Sequence, residues 1–335
     1  MNSIVYCFLF VLVTVAKVES GAFKAFLYSD YVSCDHNRTF DLDVSDIEVF
    51  FYDFANNFNV TAMIEPASNI VTSSYNLDIT KKLIFFVPGY KSHIQKKTEE
   101  LVRQTFKDVP DIYLVIIDHS AYTNNRGGKV KSYERSVQYA YYIGQALAKF
   151  LVELHKKGFP SKNIHAVGHS LGSQILGYAG EAYTKQTKEK LWRITGIDPA
   201  GPCFSNSFIE NQIRSGLAQY VEVYHCNAGG LGTTSVLADA DFFINSDGRK
   251  QPHCSGSFIP GVGESDEAKC SHKACVRYWM ETVHHPGWFL AWQCDSYKGF
   301  KAGRCAANEV TIAGYTNPGN ATGVFYVSTE TYGVF

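Results

Sequence analysis

The pentapeptide Gly168-His169-Ser170-Leu171-Gly172 follows an apolar run at residues 164–167 and precedes a helix-like stretch at residues 171–180. A chain that passes from strand to helix within two residues holds the serine between them in a strained backbone conformation. Glycines two before and two after leave room for the backbone crowded against that turn. Ser170 is thereby presented with its hydroxyl exposed, which marks it as a candidate nucleophile. Such pentapeptides also arise by chance in glycine-rich chains, so the weight of this one comes from the strand and helix that flank it.

The surrounding chain repeats the same alternation. Continuous apolar runs at Lys82–Val87 and residues 112–117 read as buried parallel strands. Further strands are expected at residues 163–167, 191–197 and 220–224. Helix is expected over residues 98–106, and Val137, Ala140, Gly144, Leu147, Leu151 and Leu154 form the stripe of a longer helix ending at Lys156-Lys157-Gly158. Upstream, residues 47–54 and 60–64 read as strands. Alternating strands and helices imply an α/β protein with a mostly parallel central sheet and helices on both faces. In such sheets, catalytic residues gather at the carboxyl ends of the strands. With 335 residues and 45% hydrophobic content, the chain can bury a large core. It shows no repeat or linker, so residues 21–335 are expected to form a single domain.

Residues 4–16 form an apolar stretch too short to span a bilayer comfortably, followed by Val18-Glu19-Ser20 before Gly21. Residues 1–20 are therefore expected to be a secretory signal peptide, and the protein to be secreted and extracellular. Beyond Cys7 the chain carries an even set of eight cysteines, which in an exported protein implies disulfides. Asn37, Asn59 and Asn320 open glycosylation sequons. The formal net charge of −1, with no dense Lys/Arg stripe, excludes nucleic acid as an expected partner.

A catalytic serine needs a histidine base, and the base needs a carboxylate to fix its tautomer. Asp198 follows residues 191–197 directly and stands before the sharp turn Pro199-Ala200-Gly201-Pro202, which makes it the best acid candidate. Eleven histidines compete for the base. His272 lies downstream of the acid in a loop expected before a helix at residues 276–283, His225 ends a strand, and His284-His285 precede a proline. The oxyanion requires two backbone donors, which the turns offer as the amides of Leu171 and Tyr90.

Together, Gly168-His-Ser-Leu-Gly172, Ile197-Asp-Pro-Ala-Gly-Pro202, Asp241-Phe-Phe-Ile-Asn245 and Cys270-Ser-His272 resemble, in order and spacing, motifs of the pancreatic lipase family. The resemblance runs from about Leu83 to the C-terminus and implies an α/β-hydrolase fold of the insect type, without the family's C-terminal β-sandwich. It implies the triad Ser170, Asp198 and His272, with Tyr90 and Leu171 as oxyanion donors. It also implies a lid between Cys254 and Cys270, joined as a disulfide, and Cys294 with Cys305 is expected as a second. Cys203 with Cys226 is a weaker pairing, leaving Cys34 and Cys275.

Three departures bear on function. The family commonly has His-Gly where this chain has Pro88-Gly89. Arg214 and Leu217 stand where the family's calcium loop carries aspartates, so no metal and no cofactor are expected. The lid has only fifteen residues, in which Phe258, Ile259 and Val262 are the large apolar ones and Glu264, Asp266 and Glu267 add acid. A short lid of this kind favours phospholipids, cleaved in the manner of a phospholipase A1, over triacylglycerol. The expected function is hydrolysis of lipid carboxylic esters at a membrane or lipid surface, as a phospholipase A1-like enzyme or a neutral lipase. The alternative is a catalytically weak yolk, storage or lipid-binding protein. No oligomeric state follows from the sequence.

Overall fold

A computed structural model describes residues 34–74, 76–124, 129–258 and 265–333. The expected signal segment lies outside the described residues. Among the described residues, the strands are β1 (Glu48–Asp53), β2 (Phe58–Met63), β3 (Lys82–Val87), β4 (Ile112–Asp118), β5 (Ile164–His169), β6 (Arg193–Ile197), β7 (Tyr220–His225), β8 (Ala240–Ile244), β9 (Leu290–Gln293), β10 (Val310–Ile312) and β11 (Gly323–Val327). They pair in one sheet of order β10-β9-β11-β8-β7-β6-β5-β3-β4-β1-β2. From β11 to β4 every neighbouring pair is parallel. Antiparallel pairs close both ends, β1 with β4 and β2 on one side, β9 with β11 and β10 on the other.

The helices are α1 (Ile64–Ser74), α2 (Lys97–Phe106), α3 (Lys129–Lys156), α4 (Leu171–Thr187), α5 (Asp266–His284) and α6 (Tyr297–Lys301). Alternation along the strands divides the core in two. Leu83, Phe85, Val87, Val115 and Ile117 pack with α1, α3 and α4, whereas Ile84, Phe86, Leu114 and Ile116 pack with α2 and α5. Burial on both faces explains why these strands read as unbroken apolar runs. The expected doubly wound α/β sheet is therefore present.

Differences lie mainly at element ends and in the short pieces. The strand expected at residues 60–64 ends at Met63, and Ile64 begins α1, which the sequence reading did not contain; Pro66 falls in its first turn, where a missing N–H costs nothing. Strands β9 and β10, four and three residues long, carry too little pattern to be read. Helix α4 runs seven residues past the expected end at Gly180.

Four disulfides are present. Cys254–Cys270 and Cys294–Cys305 are paired as expected. The expected pair Cys203–Cys226 is not formed, because Cys203 pairs with Cys34 and Cys226 with Cys275. Although β6 and β7 are neighbours, Cys203 lies in the core on the α3–α4 face and Cys226 in the core beneath α5. The sheet itself stands between them.

One buried ion pair ties the last part of the chain to the sheet. Arg193 of β6 meets Glu222 of β7 at 2.5 Å, with both side chains essentially unexposed. The guanidinium also donates to the carbonyls of Gly314 at 3.1 Å and Asn317 at 2.9 Å, while Glu222 accepts from Thr195 at 2.7 Å and Tyr224 at 3.1 Å. Arg193→Met strips a buried carboxylate of its cation and should lower the unfolding free energy by about 3–5 kcal/mol. Urea denaturation measures it, and a loss below about 1 kcal/mol, the value of an exposed pair, would deny the pair this role.

Candidate active site

Ser170 sits between β5 and α4 with φ 55° and ψ −123°, a conformation that only a tightly packed turn sustains. Its amide donates to the Ile197 carbonyl of β6 at 3.0 Å. A side chain at Gly172 would strike the carbonyls of Val87 and Pro88, and one at Gly168 would lie 2.6 Å from the Ser173 backbone. The glycine requirement inferred from the sequence is thus a matter of backbone clearance. Ser170 occupies the N-cap position of α4 without its side chain capping the helix. Its hydroxyl is left for other work.

Asp198 follows β6, fully buried, at φ 43°. Its Oδ1 accepts from the amides of Cys226 at 2.7 Å and Asn227 at 3.0 Å, and its Oδ2 faces His272 Nδ1 at 2.5 Å. These donors offset the cost of burying a carboxylate and leave one oxygen for the imidazole. His272 is 7% exposed. It lies in the second turn of α5, not in the loop expected before a helix at residues 276–283, because Ser265 caps a helix that starts earlier by accepting from the Ala268 amide at 3.0 Å. Ser170 and His272 line one cleft of 660 Å³ together with Gly89 and Tyr90.

The competing histidines lie in other settings. His225 is buried between Asp241, at 2.8 Å from Nε2, and the Thr233 carbonyl, at 3.2 Å from Nδ1. His285 stacks on Trp288, and His284 is exposed.

The loop after β3 carries Tyr90. Lys91 takes φ 63° and donates its amide to Thr123 at 2.9 Å. The Tyr90 ring meets Tyr133 edge-on at 5.1 Å. Leu171 is the first residue of α4, so its amide is among those a helix leaves without an internal partner. Two supporting residues escaped the sequence reading. His119, directly after β4, is buried with Nε2 donating to the Pro88 carbonyl at 2.9 Å and Nδ1 at 2.7 Å from Thr123. His169 donates from Nε2 to the His272 carbonyl at 3.3 Å, with ring centroids 4.6 Å apart. Only the position of His119 at a strand end pointed to it beforehand.

The lid is described only in part. Ile259, Val262 and Glu264 lie outside the described residues. Glu267 does not add solvent-facing acid as expected: it is 3% exposed and accepts from Ser271 at 2.6 Å, because α5 turns it inward. Asp266 is exposed. In the region matched to the calcium loop, Leu217 is core and Arg214 pairs with Glu181 at 3.3 Å. Among the described residues, His253, Cys254 and Cys270 come close enough to hold a metal, but the two sulfurs are joined to each other and offer no thiolate.

A strained serine directly after a central parallel strand, lining one cleft with a histidine that is paired to a buried carboxylate, on a mostly parallel sheet covered by helices, fits the α/β-hydrolase fold. The lipase family model matches residues 28–318, and the chain belongs to the lipase family. It is 31% identical to lipase member H of Rattus norvegicus over 70% of this chain and 50% of the relative, and 27% identical to pancreatic triacylglycerol lipase of Sus scrofa over 78% and 58%. The chain thus spans about half the length of the curated relatives it matches. A solved phospholipase/carboxylesterase from Dyadobacter fermentans is 13% identical, with a TM-score of 0.31 over 61% of this chain and 79% of that one. The fold assignment rests on strand order and connection.

Burial holds His119 below its ordinary 6.5, and burial, aided by the neighbouring His272, holds His169 well below it. Folding therefore favours the neutral form of both, whereas in the unfolded chain they take up protons near 6.5. The stability these two groups contribute is therefore fully present above that pH and is lost as pH falls through it toward their lowered folded values. Denaturant midpoints measured from pH 7.5 to 5.5 should fall, and His119→Gln should flatten the slope. A flat profile for the unaltered protein would contradict this account.

Proposed function

We propose that this chain is a secreted carboxylic-ester hydrolase that cleaves lipids through an acyl-enzyme on Ser170. The observation that carries the reading is the buried Asp198 carboxylate paired at 2.5 Å with His272 Nδ1, in a cleft that also exposes Ser170. With Nδ1–H committed to Asp198, Nε2 is the basic nitrogen. It takes the Ser170 proton as the oxygen attacks the ester carbonyl, then returns it to the departing alcohol. Water repeats the sequence to release the acid. The Leu171 and Tyr90 amides would hold the tetrahedral oxyanion, the second in a loop kept in place by the His119 bond to Pro88. Lipid substrate is supported by membership of the lipase family.

Secretion is supported by the four disulfides and by the exposure of Asn59 and Asn320 in their sequons. No helix among the described residues is long and apolar enough to cross a membrane. The preference for phospholipid, in the manner of a phospholipase A1, rests on the short span closed by Cys254–Cys270, with a sequence separation of 16. A lid that small offers little apolar area to spread on an oil droplet.

Ser170→Ala should fold normally and lose esterase activity on a nitrophenyl ester by about 10³-fold or more, keeping the residue of rate that oxyanion donors supply. A serine-directed phosphonate should silence the unaltered protein equally. An unchanged rate in the variant rules out the mechanism, and absence of turnover in the unaltered protein favours the storage or lipid-binding role. Faster release from emulsified triolein than from phosphatidylcholine vesicles, with a jump at the interface, would assign a neutral lipase.

A further inference from the structure

Beside the triad, the catalytic edge holds a second buried histidine–carboxylate pair, which takes no part in the proton transfers at Ser170. His225 ends β7 and Asp241 lies on β8, with 2.8 Å between Nε2 and Oδ1 and neither side chain more than 1% exposed. The opposite nitrogen, Nδ1, stands 3.2 Å from the Thr233 carbonyl, which can only accept, so the ring donates there. Asp241 directs its other oxygen to the Ala238 amide at 3.1 Å. The ring is also held flat, stacked on Phe243 with centroids 4.3 Å apart, and a Cβ at Gly248 would lie 2.9 Å from that of His225.

The residues between His225 and Thr233 form the wall around the catalytic acid. Cys226 and Asn227 donate their amides to Asp198 Oδ1 at 2.7 and 3.0 Å. Gly232 is packed so closely that a Cβ there would lie 2.5 Å from the same oxygen, and Thr233 donates its amide at 2.7 Å to the carbonyl of Pro199, the residue after Asp198. Within the loop, Asn227 gathers the turn: its carbonyl accepts from Gly230 and Gly232, and its side chain accepts from the Leu231 amide at 2.7 Å. One imidazole thus closes the loop at its base, and one carboxylate moors that imidazole to β8.

We propose that His225 and Asp241 are positioning residues for the triad, holding residues 226–233 in the arrangement that presents two amides to Asp198 and keeps it from water, and through Asp198 orienting His272. The inference rests on the proposed hydrolysis at Ser170. A catalytic group must stay within about 0.5 Å of its productive place, so slack at Asp198 is felt in the transition state, where His272 carries charge, and hardly at all in substrate binding. Position 241 needs a pattern of donor and acceptor more than a charge. An asparagine there offers its oxygen to the Ala238 amide and its NH2 to Nε2, leaving Nδ1–H on Thr233.

The test uses the full chain and nitrophenyl butyrate, with active sites counted by a serine-directed phosphonate and the fold checked by circular dichroism. Replacing one member of the pair strands the other in the core, so the deciding variant is His225→Leu/Asp241→Leu, which removes both polar groups together. Its kcat per active site should fall by about 10–100-fold with KM changed less than about twofold, while Asp241→Asn should stay within about threefold of the unaltered protein. If the double variant does not fold, His225→Phe/Asp241→Asn takes its place under the same criteria, since a phenyl ring keeps the stacking on Phe243. An unaltered kcat in the double variant, a change confined to KM, or an Asp241→Asn as slow as the double variant overturns the proposal. A second readout needs no turnover. The proton held between His272 Nδ1 and Asp198 should resonate far downfield, and with His225 replaced the signal that remains is that of His272. Its upfield shift or loss in the double variant supports the positioning role, and an unmoved signal overturns it. If the unaltered protein cleaves no ester, the reading of function fails and this signal alone decides the role of the pair.

Discussion

The buried Asp198 carboxylate sets the terms for the rest of the catalytic edge. A charge with no exposure is tolerable only if both its oxygens meet donors, and they meet them in the turn after β7 and in His272 of α5. Three separate pieces of chain must therefore stand at fixed distances from one carboxyl group. A side chain at position 232 would run into the same carboxylate, which explains a glycine there. The Cys226–Cys275 disulfide reinforces the arrangement covalently. Cys226 donates its amide to Asp198 while its sulfur is bonded three residues beyond His272, so acid and base are joined by both a hydrogen bond and a chain of covalent bonds.

Around that pair, two further histidines work by being neutral. His119 and His169 each donate to a backbone carbonyl, one at Pro88 in the loop of Tyr90 and the other at His272 itself. At Pro88 the chain contributes a carbonyl acceptor to His119, a role that requires no N–H and that proline can fill.

Much of this was legible in the sequence because it rests on local rules. The apolar runs of β3 and β4, the stripe of α3 and the glycines around Ser170 each follow from periodicity or clearance within a few residues. Asp198 was readable from its place at a strand end. His272 was not readable from its surroundings alone, and family resemblance selected it from eleven histidines. The errors share a cause. The loop expected at His272, the solvent-facing Glu267 and the Cys203–Cys226 pair all depended on which face of the sheet a segment packs against. That is decided by the tertiary path of α5 and of the chain before β1, which no short window contains. Likewise, the cleft of Ser170 draws its lining from residues between Gly89 and Arg277 and has no linear motif.

The position of β11 has a consequence for how the molecule is made. Gly323–Val327 lies inside the sheet, parallel to β8 from Gly323 opposite Ala240 to Val327 opposite Ile244, and it separates β8 from β9. Chain that emerges in order from a ribosome or a translocation channel presents β8 and β9 before the strand that must lie between them. Pairing those two directly would be a trap, since the later strand would have to displace one of them. The sheet's final architecture is thus reached only after synthesis has passed β11, and until then β8 presents an edge of unpaired N–H and C=O groups open to the wrong strand.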